Sequence, residues 1–169
     1  GLEQDSVIHY ASKALMLARK LGDSETEMGI YNPLGVAYCF ASKYDTARIL
    51  FDRAIEMAIE RNDKKAETGT LSLVAFAYAK EGKYNTAVDY YLKIIKISEE
   101  ESWTDDRVRA LNNLSEMNRR MGNATIAMKY LEESEEICNN LLPSEIGTYY
   151  WRIPHIYNEY ASNYIDQGN

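Results

Sequence analysis

The side chains that could perform chemistry are few in this sequence, and their spacing does not bring them together. The two histidines, His9 and His155, lie near opposite ends of the 169 residues. No Ser-His-Asp order, phosphate-binding loop or glycine-rich phosphate turn is found. Cys39 lies in the apolar stretch AYCFA without a nearby histidine or basic activator, so core packing explains it better than nucleophilic catalysis. The sequence therefore predicts that the chain is not an enzyme.

Two acidic runs, SEEES at 98–102 and EESEE at 132–136, raise the question of a metal site. Carboxylates along a helix, without a loop of ligands, more often form a solvated face. We therefore predict no metal and no cofactor. The two cysteines have no metal or redox spacing and leave the compartment open.

The charge and hydropathy of the chain weigh against two classes of partner. The formal net charge is −7, which disfavours nucleic acid or an anionic membrane as the partner of this segment. No apolar run approaches the roughly 20 residues that a helix needs to cross a bilayer. A protein or peptide is the expected partner.

The elements that position the functional side chains follow from a forty-residue repeat. The stretch KYDTARILFDRAIEMA at 43–58 is followed by KYNTAVDYYLKIIKIS at 83–98 and NATIAMKYLEESEEIC at 123–138. Apolar residues recur at offsets of three and four, which is one face of an α-helix. The segments between them carry the same pattern around a small residue: Gly35, Ala75 and Ser115. Each unit is predicted to be two antiparallel helices, and the units to stack, because neither helix buries its apolar face alone.

The helix ends are predicted from residues that favour caps and turns. Trp103 is expected to act as a hydrophobic staple before Thr104 as N-cap. Four residues in register are expected to be the N-caps of the second helices: Asp5, Asp45, Asn85 and Thr125. Breaks recur around these helices, and Gly and Asn readily take the left-handed conformation that ends a helix. The expected positions are Ser42, Gly82 and Gly122 before the helices and Gly22, Asn62 and Ser102 after them.

Pro33 breaks the local helix pattern. It removes a backbone hydrogen bond to Gly29 and costs about 3 kcal/mol inside a regular helix. Either the helix kinks at this point, or it begins late, near Asn32. The helical face continues through EMGIY before the proline, which favours the kink.

The string LGVAYCFASKYDTARILFDRAI resembles a tetratricopeptide repeat. The signature residues of this copy are Leu34, Gly35, Tyr38, Tyr44, Ala47, Phe51 and Ala54. A second copy has Leu71, Val74, Ala75, Tyr78, Gly82, Tyr84, Ala87 and Tyr91, and a weaker third has Leu111, Leu114, Ser115, Gly122, Ala127 and Leu131. The period exceeds the commoner 34 residues, so the helices should be about a turn longer. The resemblance implies an all-α fold, a right-handed α-solenoid of about eight helices.

One solenoid domain over residues 1–169 is expected, in five segments. The last of them contains YNEYASNYIDQGN, in which Tyr157, Tyr160, Ala161 and Tyr164 have the signature spacing of a first helix. We expect the chain to be part of a longer bacterial protein, and the aromatic residues near its end to offer a surface for self-association. The segments are a second helix at 1–22, repeats at 23–62, 63–102 and 103–142, and a first helix at 143–169.

By the resemblance, the first helices line a concave groove that binds an extended peptide. One row of the groove could hydrogen-bond a peptide backbone, or could simply fill a solvated surface. The apolar and basic groups suit a ligand with hydrophobic side chains and a carboxylate, unless Glu116 and Glu133 pair with the arginines. The row is Asn32, Ser72, Asn112 and Asn158. The remaining groove residues are Val36, Phe40, Phe76, Lys80, Arg109, Glu116, Arg119 and Arg120.

Two functions use this groove. The first is a scaffold for protein–protein or protein–peptide interaction. The alternative is the ligand-sensing segment of a larger bacterial signalling or transcription regulator. The two-lysine clamp with which related repeats bind chaperone tails has no match in this sequence.

Overall fold

The computed structural model describes residues 2–140 and the single position Ala161. These residues form seven α-helices and no strand, which confirms the predicted all-α class and compares with the expected number of about eight. The helices are α1 (Leu2–Leu21), α2 (Ser24–Phe40), α3 (Tyr44–Glu60), α4 (Lys64–Lys80), α5 (Tyr84–Glu100), α6 (Thr104–Arg120) and α7 (Ala124–Asn139). Among residues 2–140, no helix combines the length and hydropathy needed to span a lipid bilayer.

The chain divides into two compact units, residues 1–83 and 84–169. In the first unit, α2 packs against α1 and α3, α3 packs against α4, and α2 also meets α4. In the second unit, α6 packs against α5 and α7. Within each unit, links of two or three residues join consecutive helices, so each helix runs antiparallel to the next one of its unit. The helix pairs confirm the α-solenoid class, whereas the single domain and its five segments stay a prediction.

Each unit has its own apolar core. In the first unit the core contains Leu15, Tyr31, Leu34 and Ala54, with Leu50 and other partly buried residues packed against it. In the second unit the core contains Val108, Leu131 and Cys138. The residues that carry the repeat pattern therefore bury the faces between consecutive helices.

Every link between helices contains one residue with a positive φ. The six residues are Gly22, Ser42, Asn62, Gly82, Ser102 and Gly122, with φ between 53° and 83°. Each closes its helix with a pair of backbone hydrogen bonds. In the second link, for example, the Ser42 amide donates to the Cys39 carbonyl at 3.0 Å, and the Lys43 amide donates to the Tyr38 carbonyl at 2.9 Å. This is the Schellman arrangement, and it confirms all six predicted breaks.

Replacing Ser42 and Ser102 together with glycine is expected to raise the free energy of unfolding. A side chain in the left-handed conformation costs about 1–2 kcal/mol, and the greater freedom of glycine in the unfolded chain offsets part of the gain. We expect a net gain of roughly 0.5–1 kcal/mol at each position, measured by urea denaturation followed by circular dichroism. Gly82→Ser is the matched control and should lose a similar amount. A lower stability of the double glycine variant would show that the serines do not strain these turns.

The predicted N-caps of the second helices are wrong. α3 begins at Tyr44 and α7 at Ala124, and their N-cap positions, Lys43 and Asn123, form no side-chain cap hydrogen bond. Asp45 lies inside the first turn of α3, where it accepts a hydrogen bond from Arg48. Only one residue separates the left-handed position from the first helical residue, so the helix starts before the expected cap is reached. The other expected caps also lie within helices: Asp5 in α1, Asn85 in α5 and Thr125 in α7.

Side-chain caps occur instead on two first helices. Asp23 accepts from the Thr26 amide at 3.0 Å, and Asp63 accepts from the Ala66 amide at 2.9 Å. In α6, the third of the first helices, the N-cap position is occupied by Trp103 and not by Thr104. Trp103 forms no side-chain cap hydrogen bond. The predicted staple and cap at this point are therefore also wrong.

Pro33 lies inside a continuous helix. α2 extends from Ser24 to Phe40 with the proline near its middle, so a late start of the helix near Asn32 is excluded. The proline ring is exposed to solvent. A bend at this point stays a prediction.

Candidate peptide-binding site

The predicted groove residues, with the exception of Asn158, lie on α2, α4 and α6. Those on α2 and α4 belong to the first compact unit, and those on α6 belong to the second. Asn158 lies outside the described residues.

Two phenylalanines and a lysine come together on the first unit. The rings of Phe40 on α2 and Phe76 on α4 have their centroids 6.0 Å apart, with an angle of 58° between their planes. Lys80 Nζ lies 5.5 Å from the Phe40 centroid and 5.6 Å from the Phe76 centroid, within cation–π range of both. Phe40 is 54% exposed. We call Phe40, Phe76 and Lys80 the aromatic–lysine cluster.

Lys80 differs from most basic residues around it in its partners. Arg48 pairs with Glu81 at 2.6 Å, and Lys83 pairs with the same carboxylate at 2.6 Å. Within residues 2–140, no carboxylate forms an ion pair with Lys80. An ammonium group above two partly exposed rings is therefore open to a carboxylate from outside the chain.

The three described members of the polar row, Asn32, Ser72 and Asn112, are not equally exposed. Asn32 Nδ2 donates to Thr70 Oγ1 at 2.9 Å, which joins α2 to α4, and Thr70 in turn donates to the Ala66 carbonyl. Asn112 is only 6% exposed. The side-chain oxygens of Asn32 and Asn112 are buried without a hydrogen-bond partner among the described residues. Ser72, the other member of the row on the first unit, is partly exposed, as is Asn32.

The arginines of α6 have acidic partners on their own helix. Arg119 and Arg120 both bind Glu116, at 2.8 Å and 2.5 Å. Arg109 binds Asp105 at 2.6 Å. The sequence left two partners open for these arginines, a ligand carboxylate or nearby acidic residues. In the structure each of the three pairs with an acidic residue, and for Arg119 and Arg120 this residue is the predicted Glu116. Such pairs within a helix are weak, about 0.2–0.5 kcal/mol each, so a ligand carboxylate could replace them.

Two further contacts complete the electrostatics of the second unit. Glu133 binds Arg107 at 2.7 Å, and among the described residues it pairs with none of Arg109, Arg119 and Arg120. Hydrogen bonds with Tyr84 and Glu116 raise the pKa of the Arg120 guanidinium above its ordinary value. Both contacts therefore favour the charged form of Arg120.

The cysteine, histidine and acidic side chains that could perform chemistry do not form a catalytic or metal site among the described residues. Cys39 is buried on α2, and this burial raises the pKa of its thiol, which makes a thiolate nucleophile less accessible. Within residues 2–140, no three His, Cys, Asp or Glu side chains are grouped so that they could hold a metal ion. His155 lies outside the described residues.

The cation–π arrangement was missed by the sequence reasoning. Its signal was available in part, because Phe76 and Lys80 are four residues apart on one helix and Phe40 occupies the position of Lys80 one repeat earlier. The Asn32–Thr70 hydrogen bond gave no such signal, since it joins two helices thirty-eight residues apart. Contacts within a helix were predictable from spacing, and contacts between helices were not.

Comparison with known proteins identifies the repeat. Residues 66–140 match the tetratricopeptide repeat family. This match, with the helix pairs described above, identifies tetratricopeptide repeats within residues 66–140, as the sequence predicted. No curated protein sequence is significantly similar to the chain.

Solved structures share the fold at low sequence identity. BtubC (BKLC) from P. vanneervenii superposes with a TM-score of 0.71 at 21% identity, over 96% of this chain and 70% of that one. A putative kinesin light chain with nearly identical TPR-like repeats from Podosopora anserina gives 0.68 at 14%, over 97% and 87%. The TPR domain of Arabidopsis FLU gives 0.60 at 20%, over 66% and 94%. Repeats of the class matched by residues 66–140 form extended binding surfaces, which supports a role in protein–protein interaction.

Proposed function

We propose that the first unit binds an extended segment of a partner protein at the aromatic–lysine cluster. The observation that carries this proposal is the contact of the exposed Phe40 with the partly exposed Phe76 beside Lys80, a cation without an acidic partner in the described chain. A segment with an apolar side chain and a carboxylate fits both groups. The rings would bury the apolar side chain, and the ammonium would bind the carboxylate.

The surrounding residues extend the site along two helices. Asn32, Val36 and Phe40 are each four residues apart on α2, and Ser72, Phe76 and Lys80 have the same spacing on α4. Because one antiparallel helix separates α2 from α4, the two rows run in the same direction and lie side by side where the helices meet. Ser72 can both donate to and accept from the backbone of a bound segment. The apolar rows anchor the ligand, and the polar ends fix its direction.

The α6 residues are proposed as a separate contact surface. Arg109, Arg119 and Arg120 keep exposed or partly exposed guanidinium groups while they pair with acids on the same helix. An acidic segment would exchange these weak pairs for bidentate ones, which are stronger. This surface contributes charge rather than apolar contact.

A selection from a phage-displayed peptide library tests the site on the first unit. Peptides selected on the parent should carry an apolar residue near an acidic one, and Phe40→Ser/Phe76→Ser should weaken their binding by about tenfold or more in fluorescence anisotropy. Lys80→Glu should abolish the preference for acidic residues through repulsion. Ile49→Ser/Ile59→Ser, on α3, removes two exposed apolar side chains elsewhere and is the matched control.

Circular dichroism must first show that all these variants fold like the parent. The control variant should bind the selected peptides with the affinity of the parent. Equal binding by the Phe40→Ser/Phe76→Ser variant, or a selection without enrichment, would rule out the cluster as the binding site.

A further inference from the structure

Two glycines in the first unit occupy the same position of successive repeats, forty residues apart. Gly29 lies inside α2 and Gly69 inside α4, and both are exposed. Apart from chain neighbours and the backbone of the same helix, no described atom lies within 4 Å of the Cβ that either residue lacks. Glycine inside a helix loses more conformational freedom on folding than alanine does. Packing within the described chain therefore does not explain these two residues, which we call the glycine pair.

The repeat itself does not require glycine at this position. Forty residues after Gly69 the same position is occupied by Arg109, inside α6. Gly35 differs from the glycine pair, because its Cβ would overlap the Phe51 ring and the fold therefore requires glycine there. Residues that break a local rule of helix formation without a gain in packing are expected at functional sites. The glycine pair is thus explained by a ligand that approaches these helices from outside.

Pro33 leaves a backbone acceptor open beside the glycine pair. In a regular helix the Gly29 carbonyl would accept a hydrogen bond from the N–H group of residue 33, and proline has no such group. A backbone carbonyl without its helix donor needs another partner. Because Gly29 is exposed and has no side chain, the backbone of a ligand can come close enough to supply an N–H group.

The glycine pair lies on the same helix faces as the aromatic–lysine cluster. Offsets of four, three and four residues define one face on each helix. We call these two faces the α2–α4 seam: Gly29, Pro33, Val36 and Phe40 on α2, and Gly69, Leu73, Phe76 and Lys80 on α4. All eight residues are exposed or partly exposed. The helices are in contact, and Asn32 donates to Thr70 across them, so the two faces adjoin.

The length of the α2–α4 seam sets the size of a ligand that fills it. Gly29 and Phe40 are eleven positions apart, which is about 16 Å along a helix. A chain in the extended conformation covers this distance with about five residues. One end of the seam offers open backbone, and the other end offers two aromatic rings and an ammonium group.

From these observations we propose that the ligand of the aromatic–lysine cluster is an extended segment of about five residues that also lies against the glycine pair. Its apolar and acidic side chains bind the cluster at one end of the seam. At the other end its backbone approaches the glycine pair, and one of its N–H groups donates to the Gly29 carbonyl. The residue that supplies this N–H group is therefore not proline. This inference rests on the proposed function, because it extends the same site.

Urea denaturation and fluorescence anisotropy, with a peptide selected from the phage-displayed library on the parent, test the proposal together. Gly29→Gln/Gly69→Gln should unfold at a higher urea concentration than the parent, because glutamine favours helix. The same variant should bind the peptide about tenfold or more weakly, because its side chains fill the space of the ligand backbone. Gly29→Ala/Gly69→Ala should also gain stability, with a smaller loss of binding. A structural role of the glycines does not predict higher stability together with weaker binding.

A second measurement isolates the hydrogen bond to the Gly29 carbonyl. Peptides methylated at one backbone nitrogen at a time should include a position at which methylation weakens binding to the parent by about threefold to tenfold. Pro33→Ala restores the helix N–H group, which then occupies the carbonyl, and should weaken binding of the unmodified peptide. Methylation at the sensitive position should weaken binding to Pro33→Ala by less than about twofold, because the hydrogen bond is already lost.

Ala14→Gln, on the exposed surface of α1, is the matched control and should bind like the parent. Parent-like binding by Gly29→Gln/Gly69→Gln, equal weakening by Ala14→Gln, or equal methylation effects in the parent and Pro33→Ala would each overturn the proposal. If Phe40→Ser/Phe76→Ser then still loses binding, the proposed function stands and only this extension of it fails. A selection without enrichment would overturn both.

Discussion

Gly35→Ala is expected to lower the free energy of unfolding by about 1–3 kcal/mol, the usual cost of overpacking a core. The added Cβ atom would lie 2.4 Å from Cε1 of Phe51 and 2.8 Å from its Cζ. The Phe51 ring is fully buried between helices and cannot turn into solvent to make room. The helices α2 and α3 would have to move apart. Denaturation by urea, followed by circular dichroism, measures the loss.

Gly69→Ala is the matched control for this prediction. Gly69 lies in the interior of α4, and apart from its chain neighbours and the backbone of its own helix no described atom lies within 4 Å of the place that its Cβ would take. Alanine in an open helix interior is expected to stabilise by about 0.5–1 kcal/mol. The two glycine replacements should therefore change stability in opposite directions. If Gly35→Ala is as stable as Gly69→Ala, the close contact between α2 and α3 does not exist in solution.

Leu131→Ala is expected to lower the free energy of unfolding by about 2–5 kcal/mol. Leu131 is fully buried on α7, where it forms the core of the second unit with Val108 and Cys138. Truncation to alanine removes apolar contacts and leaves a cavity that the surrounding helices cannot fill completely. Thermal and urea denaturation should both show the loss.

The control is Leu92→Ala on α5, in the same unit. Leu92 is exposed, so its truncation should change stability by only about 0.5 kcal/mol. Similar losses in Leu92→Ala and Leu131→Ala would contradict the packing of α7 described above. The comparison separates the burial of a leucine from its contribution to helix propensity, since both changes are the same in chemistry.

The positions of the helices were predictable because two local signals agree. The apolar period of 3.6 residues gives the helical faces, and the residues suited to a left-handed conformation give the ends. Ser42 and Ser102 were identified only through the repeat, since serine alone is a weak signal for positive φ. Asn62 and the three glycines are of residue types that readily take a positive φ, so each of them was predictable from its type alone.

The caps were not predictable from residue type alone. Asp45 is a good cap by composition, but the Schellman link leaves a single residue before the helix begins, at Lys43. The geometry of the preceding helix end therefore decides which residue occupies the cap position. Asp23 and Asp63 lie at that position and form the expected hydrogen bonds.

For the candidate site, the sequence predicted which residues share a helix face, but it did not predict which residues of different helices come into contact. Spacing along a helix places Phe76 and Lys80 together and makes Glu116 available to Arg119 and Arg120. The contact of Phe40 with Phe76 depends instead on the distance and register of two helices, which small changes in core side chains alter. Burial of Asn112 depends on the same packing. These features require coordinates.

A chain whose helices end at equally spaced turns can change its length by the duplication of whole helix pairs. The left-handed residues recur every twenty positions, from Gly22 to Gly122. A gene duplication or deletion of forty codons between two such turns adds or removes one helix pair, and every remaining helix keeps its own terminator. A change that is not a multiple of twenty codons would leave one helix longer or shorter than its neighbours and would rotate the apolar face of its remaining part out of register with them. Duplications or deletions bounded by these turns keep every remaining helix intact. Proteins that share this ancestor are therefore expected to differ in length by whole pairs of helices.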